Sequence, residues 1–240
     1  MKKTLITGAG RGIGLSIAEK FYNENHSLVL LVKDKIQKKI LEKKFDNKIV
    51  KIFFGDLSDY NFIKKVSKKI TYVDNLVNNA ATRNGDHFHK VRKKDFDHLI
   101  DLNFKSLFFL TQIFTKKMIQ RKIKGSVINL SSQLGHVGAY NRTAYCASKF
   151  AVEGFTKAAA MDLGRYGIRV NTIAPTKTIV NEKELLFTKK RLAIIKNKIP
   201  SKKFTEKEDI AELCLFLTSS ASKNITGSSI KIDGGWTAGK

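Results

Sequence analysis

Short apolar runs rich in β-branched residues alternate along the chain with longer stretches in which apolar residues return every three or four positions. The short runs predict strands at Thr4 to Thr7, Ser27 to Val32, Ile49 to Phe54, Asn75 to Asn78, Ser126 to Leu130, Arg169 to Ile173 and Ser229 to Ile232. They are continuously apolar, as strands covered on both faces should be. The longer stretches predict helices near residues 12–24, 35–44, 60–69, 95–122 (broken or continuous), 143–165, 182–197 and 206–218. Strict alternation of this kind predicts βαβ units, and hence an α/β fold with a doubly wound, seven-stranded parallel sheet and helices on both faces. No repeat or low-complexity linker interrupts it, so residues 1–240 are expected to form one domain. The only prolines, Pro175 and Pro200, bracket an excursion over 176–203 that reads as a substrate loop.

Composition narrows the picture in three ways. No apolar run approaches the roughly 18 residues of a membrane span, and "MKKTLITGAG" meets glycine before a signal-peptide core could form. The only cysteines, Cys146 and Cys214, are far apart and lack CxxC spacing, which excludes a disulfide framework and suits a reducing cytoplasm. The 45 basic residues against 21 acidic ones leave a net charge of +24. Such a balance often marks a polyanionic partner. Here the basic groups are scattered over the whole chain with no aromatic residues interleaved, so a lysine-rich solvated surface or an acidic protein partner is expected rather than nucleic acid.

The first strand runs straight into a helix through "TLITGAGRGIG", with Gly8, Gly10, Gly12 and Gly14. Glycines there permit a tight turn and close approach of backbone to a pyrophosphate, which the helix N-terminus attracts. Further on, "TAYCASKFAVEGF" sets Tyr145 four residues before Lys149. That spacing puts a phenol and an ammonium on one helical face about 6 Å apart along the axis, where the cation is expected to make the phenol more acidic. With "DNLVNNAA", "GSVINLSS", "YCASK", "GIRVNTIAP" and "ITGSSIKIDGG" following in order, nearly the whole chain resembles the short-chain dehydrogenase/reductase family.

The resemblance implies a Rossmann-type fold and interconversion of a ketone and a secondary alcohol with NADP or NAD. It implies a catalytic set of Asn103, Ser132, Tyr145 and Lys149: Ser132 would bond the substrate oxygen, Tyr145 would pass the proton, Lys149 would tune it and hold the nicotinamide ribose, and Asn103 would hold a water linking the lysine to solvent. The implied cofactor site comprises Gly8, Gly10, Arg11, Gly12, Ile13, Gly14, Lys33, Asp56, Leu57, Asn79, Ala80, Tyr145, Lys149, Pro175 and Thr178, with Asp56 on the adenine amino group. NAD specificity asks for a carboxylate at the end of the second strand. The family's deciding position holds Val32, followed by Lys33; with Arg11 it could clasp a 2′-phosphate, so NADP is expected to be preferred, with NAD possible. Asp34 either bonds a ribose or faces water. The resemblance also implies a homotetramer. For substrate it points to a 3-oxoacyl-[acyl-carrier-protein], the alternative being a sugar acid, polyol or small hydroxy acid gripped by Arg142 or His136. A protein that keeps the cofactor fold without catalysis is the rival of another class.

Other chemistries lack their residues. No GxSxG elbow is present, so Ser131 and Ser132 are not hydrolase nucleophiles. His87 and His89 form an HxH without accompanying acids or cysteines, which suits a surface loop better than a metal site. Ala81, Thr176 and Val180 depart from the family's usual glycine, glycine and threonine; Thr178 could replace the missing hydroxyl.

Overall fold

The computed structural model describes residues 1–83, 85–179 and 189–239, the side chains of 189–191 excepted. Seven strands, β1 (Lys3–Thr7), β2 (Ser27–Val32), β3 (Val50–Phe54), β4 (Asn75–Asn78), β5 (Ser126–Leu130), β6 (Arg169–Pro175) and β7 (Ser229–Ile232), form one sheet in the order β3-β2-β1-β4-β5-β6-β7. Every pairing is parallel. The expected doubly wound sheet is therefore present, with strand limits within two residues of those expected; β6 continues two residues further, to Pro175.

Parallel strands need crossovers, and these are α1 (Gly12–Asn23), α2 (Lys35–Lys44), α3 (Tyr60–Lys69), α4 (Lys93–Ile100), α5 (Ser106–Gln120), α6 (Thr143–Gly164), α7 (Lys189–Asn197) and α8 (Lys207–Thr218). The helix expected over 95–122 is interrupted by a π turn, Asp101–Lys105, which joins α4 to α5. The first part of the helix expected over 182–197 lies outside the described residues. Local chemistry sets several starts. The Asp34 carboxylate caps α2 by accepting from the Gln37 amide, Asp59 caps α3, and Glu206 with Asp209 forms a capping box on α8.

Successive residues of each strand go to opposite faces, so β2 feeds two cores at once. Leu28, Leu30 and Val32 pack with α1, α2 and α8, whereas Val29 and Leu31 pack with α3, α5 and α6. Between the sheet and α5 and α6 runs a buried polar string that pins register. Asn78 donates to Thr111 and Asn129 at 3.0 and 2.9 Å, and Asn129 donates to Thr156 at 2.9 Å. Such groups cost stability unless each finds its partner, so they favour one arrangement of strand and helix over its neighbours.

Phe114 of α5 is fully enclosed in the second core. Phe114→Ala is expected to cost about 3–5 kcal/mol, seen as a lower urea midpoint with an unchanged denaturant slope.

Candidate active site

All seven strands point the same way, so the loops that follow them leave from one rim. In the order of the sheet, β1 has β2 on one side and β4 on the other, and the loops after these strands diverge there, as they do wherever such a sheet binds a ligand. A cleft of about 1170 Å³ opens along this rim, bordered by Ile13, Asn79, Ser132, Tyr145, Lys149 and Thr178 among others.

On the β1 side the chain reverses through Gly8, whose φ of +66° belongs to the left-handed region that favours glycine. A side chain at Gly14 would run into the Gly8 carbonyl and the Asn79 amide. Thr7 ties the turn to β4: its hydroxyl accepts from the amides of both Asn79 and Ala80 at 2.9 Å, and Asn79 Nδ2 donates back to the carbonyls of Thr7 and Gly8 at 2.9 and 3.2 Å. Arg11 precedes α1 without capping it, and no acid stands in the first turn, so the amides there remain available to an anion. This cradle fits a dinucleotide pyrophosphate, with Gly8, Gly10, Gly12 and Gly14 forming its floor and Ile13 and Asn79 its wall. Lys33 and Arg11 are exposed beside it.

Two neighbouring residues stand where the motif did not foretell. Asp34 spends its carboxylate on the α2 cap, which leaves the end of β2 to Lys33. Gln37 of the same helix accepts from the Lys33 amide at 3.3 Å and presses on Gly10, where any side chain would meet it. Nothing in the turn motif marks Gln37, because its proximity to Gly10 arises from how α2 packs. Asp56 is exposed and binds its own turn through Ser58 at 2.8 and 2.7 Å; burial raises its pKa, but these bonds outweigh it and leave the carboxyl below its ordinary value. Leu57, next to it, is a buried core residue.

On the other side, β5 ends at Leu130 and is followed by Ser131 and Ser132, and α6 carries Tyr145 and Lys149 across from them. Lys149 is 3% exposed and donates from Nζ to the Leu130 carbonyl at 2.7 Å, with the Tyr145 ring centroid 5.7 Å away. Burial pushes its ammonium down to about 8, opposed by the Glu153 carboxylate. Tyr145 departs from expectation. Burial raises its phenol, and the hydrogen bond with Ser132 and the guanidiniums of Arg83 and Arg142 only partly offset this. The lowered pKa of Lys149 leaves it neutral in the range where so raised a phenol would titrate, so it does not draw the phenol down there. The pair thus keeps a protonated phenol above an amine that titrates close to neutrality.

Asn103 sits in the π turn, 1% exposed. The wider turn projects it inward, where its Oδ1 accepts from the Thr82 amide at 2.8 Å and its Nδ2 donates to the Thr82 carbonyl and the Ser148 hydroxyl at 2.9 and 3.1 Å. Ser148 in turn donates to the Tyr145 carbonyl at 2.8 Å. Both amide hydrogens are therefore engaged in tying α6 to the loop after β4. Pro175 and Thr178 line the cleft as expected, Thr178 donating to the Thr176 carbonyl at 3.3 Å; Val180 lies outside the described residues. Arg142 borders the cleft with Arg83, which no periodic signal announced. His136 does not: its Nε2 lies 3.0 Å from the Ser229 hydroxyl and 3.2 Å from Glu153, turned toward β7 and α6. His87 and His89 stack at 5.8 Å in an exposed loop, and no group of three or more His, Cys, Asp or Glu side chains able to hold a metal occurs among the described residues.

A parallel sheet with a glycine cradle at its switch point, facing a serine, tyrosine and lysine on one wall, defines a dinucleotide-dependent oxidoreductase of the doubly wound class. Comparison with known proteins narrows this. A family model described as enoyl-(acyl carrier protein) reductase matches residues 8–237. Carbonyl reductase [NADPH] 2 of Sus scrofa is 32% identical over 98% of this chain and 96% of its own. The 3-oxoacyl-[acyl-carrier-protein] reductase FabG of Staphylococcus aureus is 33% identical over 98% and 97%. A solved structure of 4-hydroxyisoleucine dehydrogenase complexed with NADH superposes with a TM-score of 0.92 at 30% identity, over the full length of both chains. The chain belongs to the short-chain dehydrogenase/reductase family, whose members act on alcohol and carbonyl groups. Among its described residues no helix is long and apolar enough to cross a membrane.

The buried Lys149 makes a prediction about stability. Its pKa falls from 10.5 to about 8 on folding, so between those values the unfolded chain binds the extra proton and wild-type stability rises with pH. Lys149→Met lacks this dependence. Its stability relative to wild type is therefore expected to fall by roughly 3 kcal/mol from pH 7 to pH 10.5, measured by urea denaturation at both.

Proposed function

We propose that this protein is an NADPH-dependent reductase of ketones, with Ser132, Tyr145 and Lys149 as catalytic residues and Asn103 positioning them. The observation that carries this reading is the convergence of these three side chains on one cleft wall, opposite the glycine cradle. When bound, the cofactor supplies the hydride. The residues of the chain do the rest. The Ser132 hydroxyl bonds the carbonyl oxygen and orients it toward Tyr145, whose retained proton is given to that oxygen as negative charge develops there. Lys149 then returns a proton toward the phenol and holds the nicotinamide ribose. With its pKa raised by burial the phenol stays protonated at neutral pH, the form from which reduction starts, and the alkoxide developing on the substrate is basic enough to take that proton.

Preference for the 2′-phosphate form rests on Lys33 and Arg11 beside the cradle and on Asp34 being occupied as a cap. The porcine relative's name specifies NADPH, though the 4-hydroxyisoleucine dehydrogenase was solved with NADH. For substrate, the finer reading is a 3-oxoacyl group on an acidic acyl-carrier protein. It is supported by the 33% identity to the staphylococcal reductase and by the net charge of +24. One observation favours a second reading, a sugar acid or small hydroxy acid: the guanidiniums of Arg83 and Arg142 act on the Tyr145 phenol from within the cleft, where a substrate carboxylate could reach them. Exposed Phe150 and Met161 on α6 support assembly into a homotetramer, and two free cysteines suit a reducing cytoplasm.

The test follows NADPH and NADH absorbance with acetoacetyl thioesters, sugar acids and neutral ketoses in parallel. Turnover of thioesters with NADPH is expected; inactivity toward them with activity on sugar acids would favour the second reading. Tyr145→Phe should lower kcat by a factor of about 10² or more while leaving NADPH binding intact. If it changes no rate, the phenol has no chemical task and the fold serves binding alone. Lys33→Ala together with Arg11→Ala is expected to weaken NADPH binding about tenfold and NADH binding little, read by fluorescence titration.

A further inference from the structure

Beneath the catalytic wall lies a buried acid that the proposed reaction does not use. Glu153 follows Lys149 by one turn of α6 and is 7% exposed. Its Oε2 accepts from the Thr172 hydroxyl of β6 at 2.8 Å. Its Oε1 lies 3.2 Å from His136 Nε2 without hydrogen-bond alignment and has no hydrogen-bond partner among the described residues. His136 also reaches the Ser229 hydroxyl of β7, and it stands at the end of the same short loop that starts at Ser132. That loop lies directly on α6: a side chain at Gly135 would come within 3.1 Å of both Glu153 Cγ and the Lys149 carbonyl. The groups facing Lys149 and Glu153 are therefore the Tyr145 phenol on α6, the imidazole of His136 from the β5 loop, and the hydroxyls of Thr172 and Ser229 from the sheet.

A carboxylate this enclosed is costly unless it answers a positive charge. Lys149 is equally enclosed and, among the described residues, makes no ion pair with a carboxylate, donating instead to a neutral carbonyl. We propose that Glu153 is a positioning residue for the reaction: held between Thr172 and His136, it provides the buried counter-charge that keeps Lys149 cationic beneath Tyr145, and through His136 it seats the Ser132 loop on α6. The inference rests on the reductase reading for its kinetic arm only.

The experiment compares the full-length wild type with Glu153→Gln, which preserves shape and the bond from Thr172 but removes the charge. Ketone reduction is followed from pH 6 to 10, with NADPH binding measured over the same range by fluorescence. In wild type, reduction should decline as pH rises through about 8, where Lys149 loses its proton. In Glu153→Gln the alkaline limb of both rate and binding is expected about one pH unit lower, with kcat down about fivefold at pH 8 and KM for the ketone unchanged. His136→Ala should lower kcat several-fold and His136→Gln, which still reaches Ser229 and Glu153, should restore it. These histidine variants decide the question should Glu153→Gln fail to fold. A lower melting temperature with an unmoved limb and unchanged kcat would reduce the cluster to packing and overturn the proposal. The binding arm needs no turnover, so a wild type inactive toward every carbonyl refutes the reductase reading while the limb of NADPH binding still decides this one.

Discussion

Parallel strand pairing is the constraint on which everything else in this protein depends. Each strand must be followed by a crossover, so every strand leaves the sheet at the same rim, and residues remote in sequence emerge side by side. Ile13 beyond β1, Asn79 after β4, Ser132 after β5 and Pro175 at the end of β6 share one cleft for this reason alone. The switch between β1 and β4 then opens the crevice. Thr7 and Asn79 hold its two lips together through four hydrogen bonds, which makes the glycine cradle a rigid seat rather than a free loop.

The opposite wall is governed by the energetics of buried charge. Lys149 reaches its place because α6 packs against β6 and the β5 loop, and there its ammonium meets one carbonyl and, a turn away, one carboxylate. Burial raises the phenol and lowers the amine, so the two are driven apart: the proton stays on the phenol while the amine titrates near 8. Asn103 contributes by geometry rather than charge. The π turn that carries it breaks a continuous helix at the one point where an inward amide can bind Thr82 and Ser148 together.

The positive surface has a different physical standing from the site. Its charges are distributed over many exposed side chains, and a few of them form solvated i,i+3 or i,i+4 pairs, such as Lys93 with Asp97 and Arg92 with Asp95, which contribute little to stability. Within the cleft, Arg83 and Arg142 act at short range on Tyr145 instead. Net charge thus bears on which partners approach, and the few cations lining the cleft bear on what is bound there.

Strand and helix placement was legible in the sequence because burial on two sheet faces imposes its own periodicity, and the seven expected strands are the seven observed. The spacing of Tyr145 and Lys149, the glycine turn and the serine after β5 were equally legible, since each is a local pattern on a single element. Four things were not. The sign of the Tyr145 shift depends on how deeply the phenol is buried and on which groups face it. The turning of His136 away from the cleft, and the use of Asp34 as a cap rather than a ribose ligand, depend on how α6 and α2 pack. The pairing of His136 with Glu153 joins residues 17 apart from different elements, which no periodicity links. One-dimensional pattern determines what each segment can bury; only the folded chain determines which charges face one another, because electrostatic energy depends on distance and enclosure.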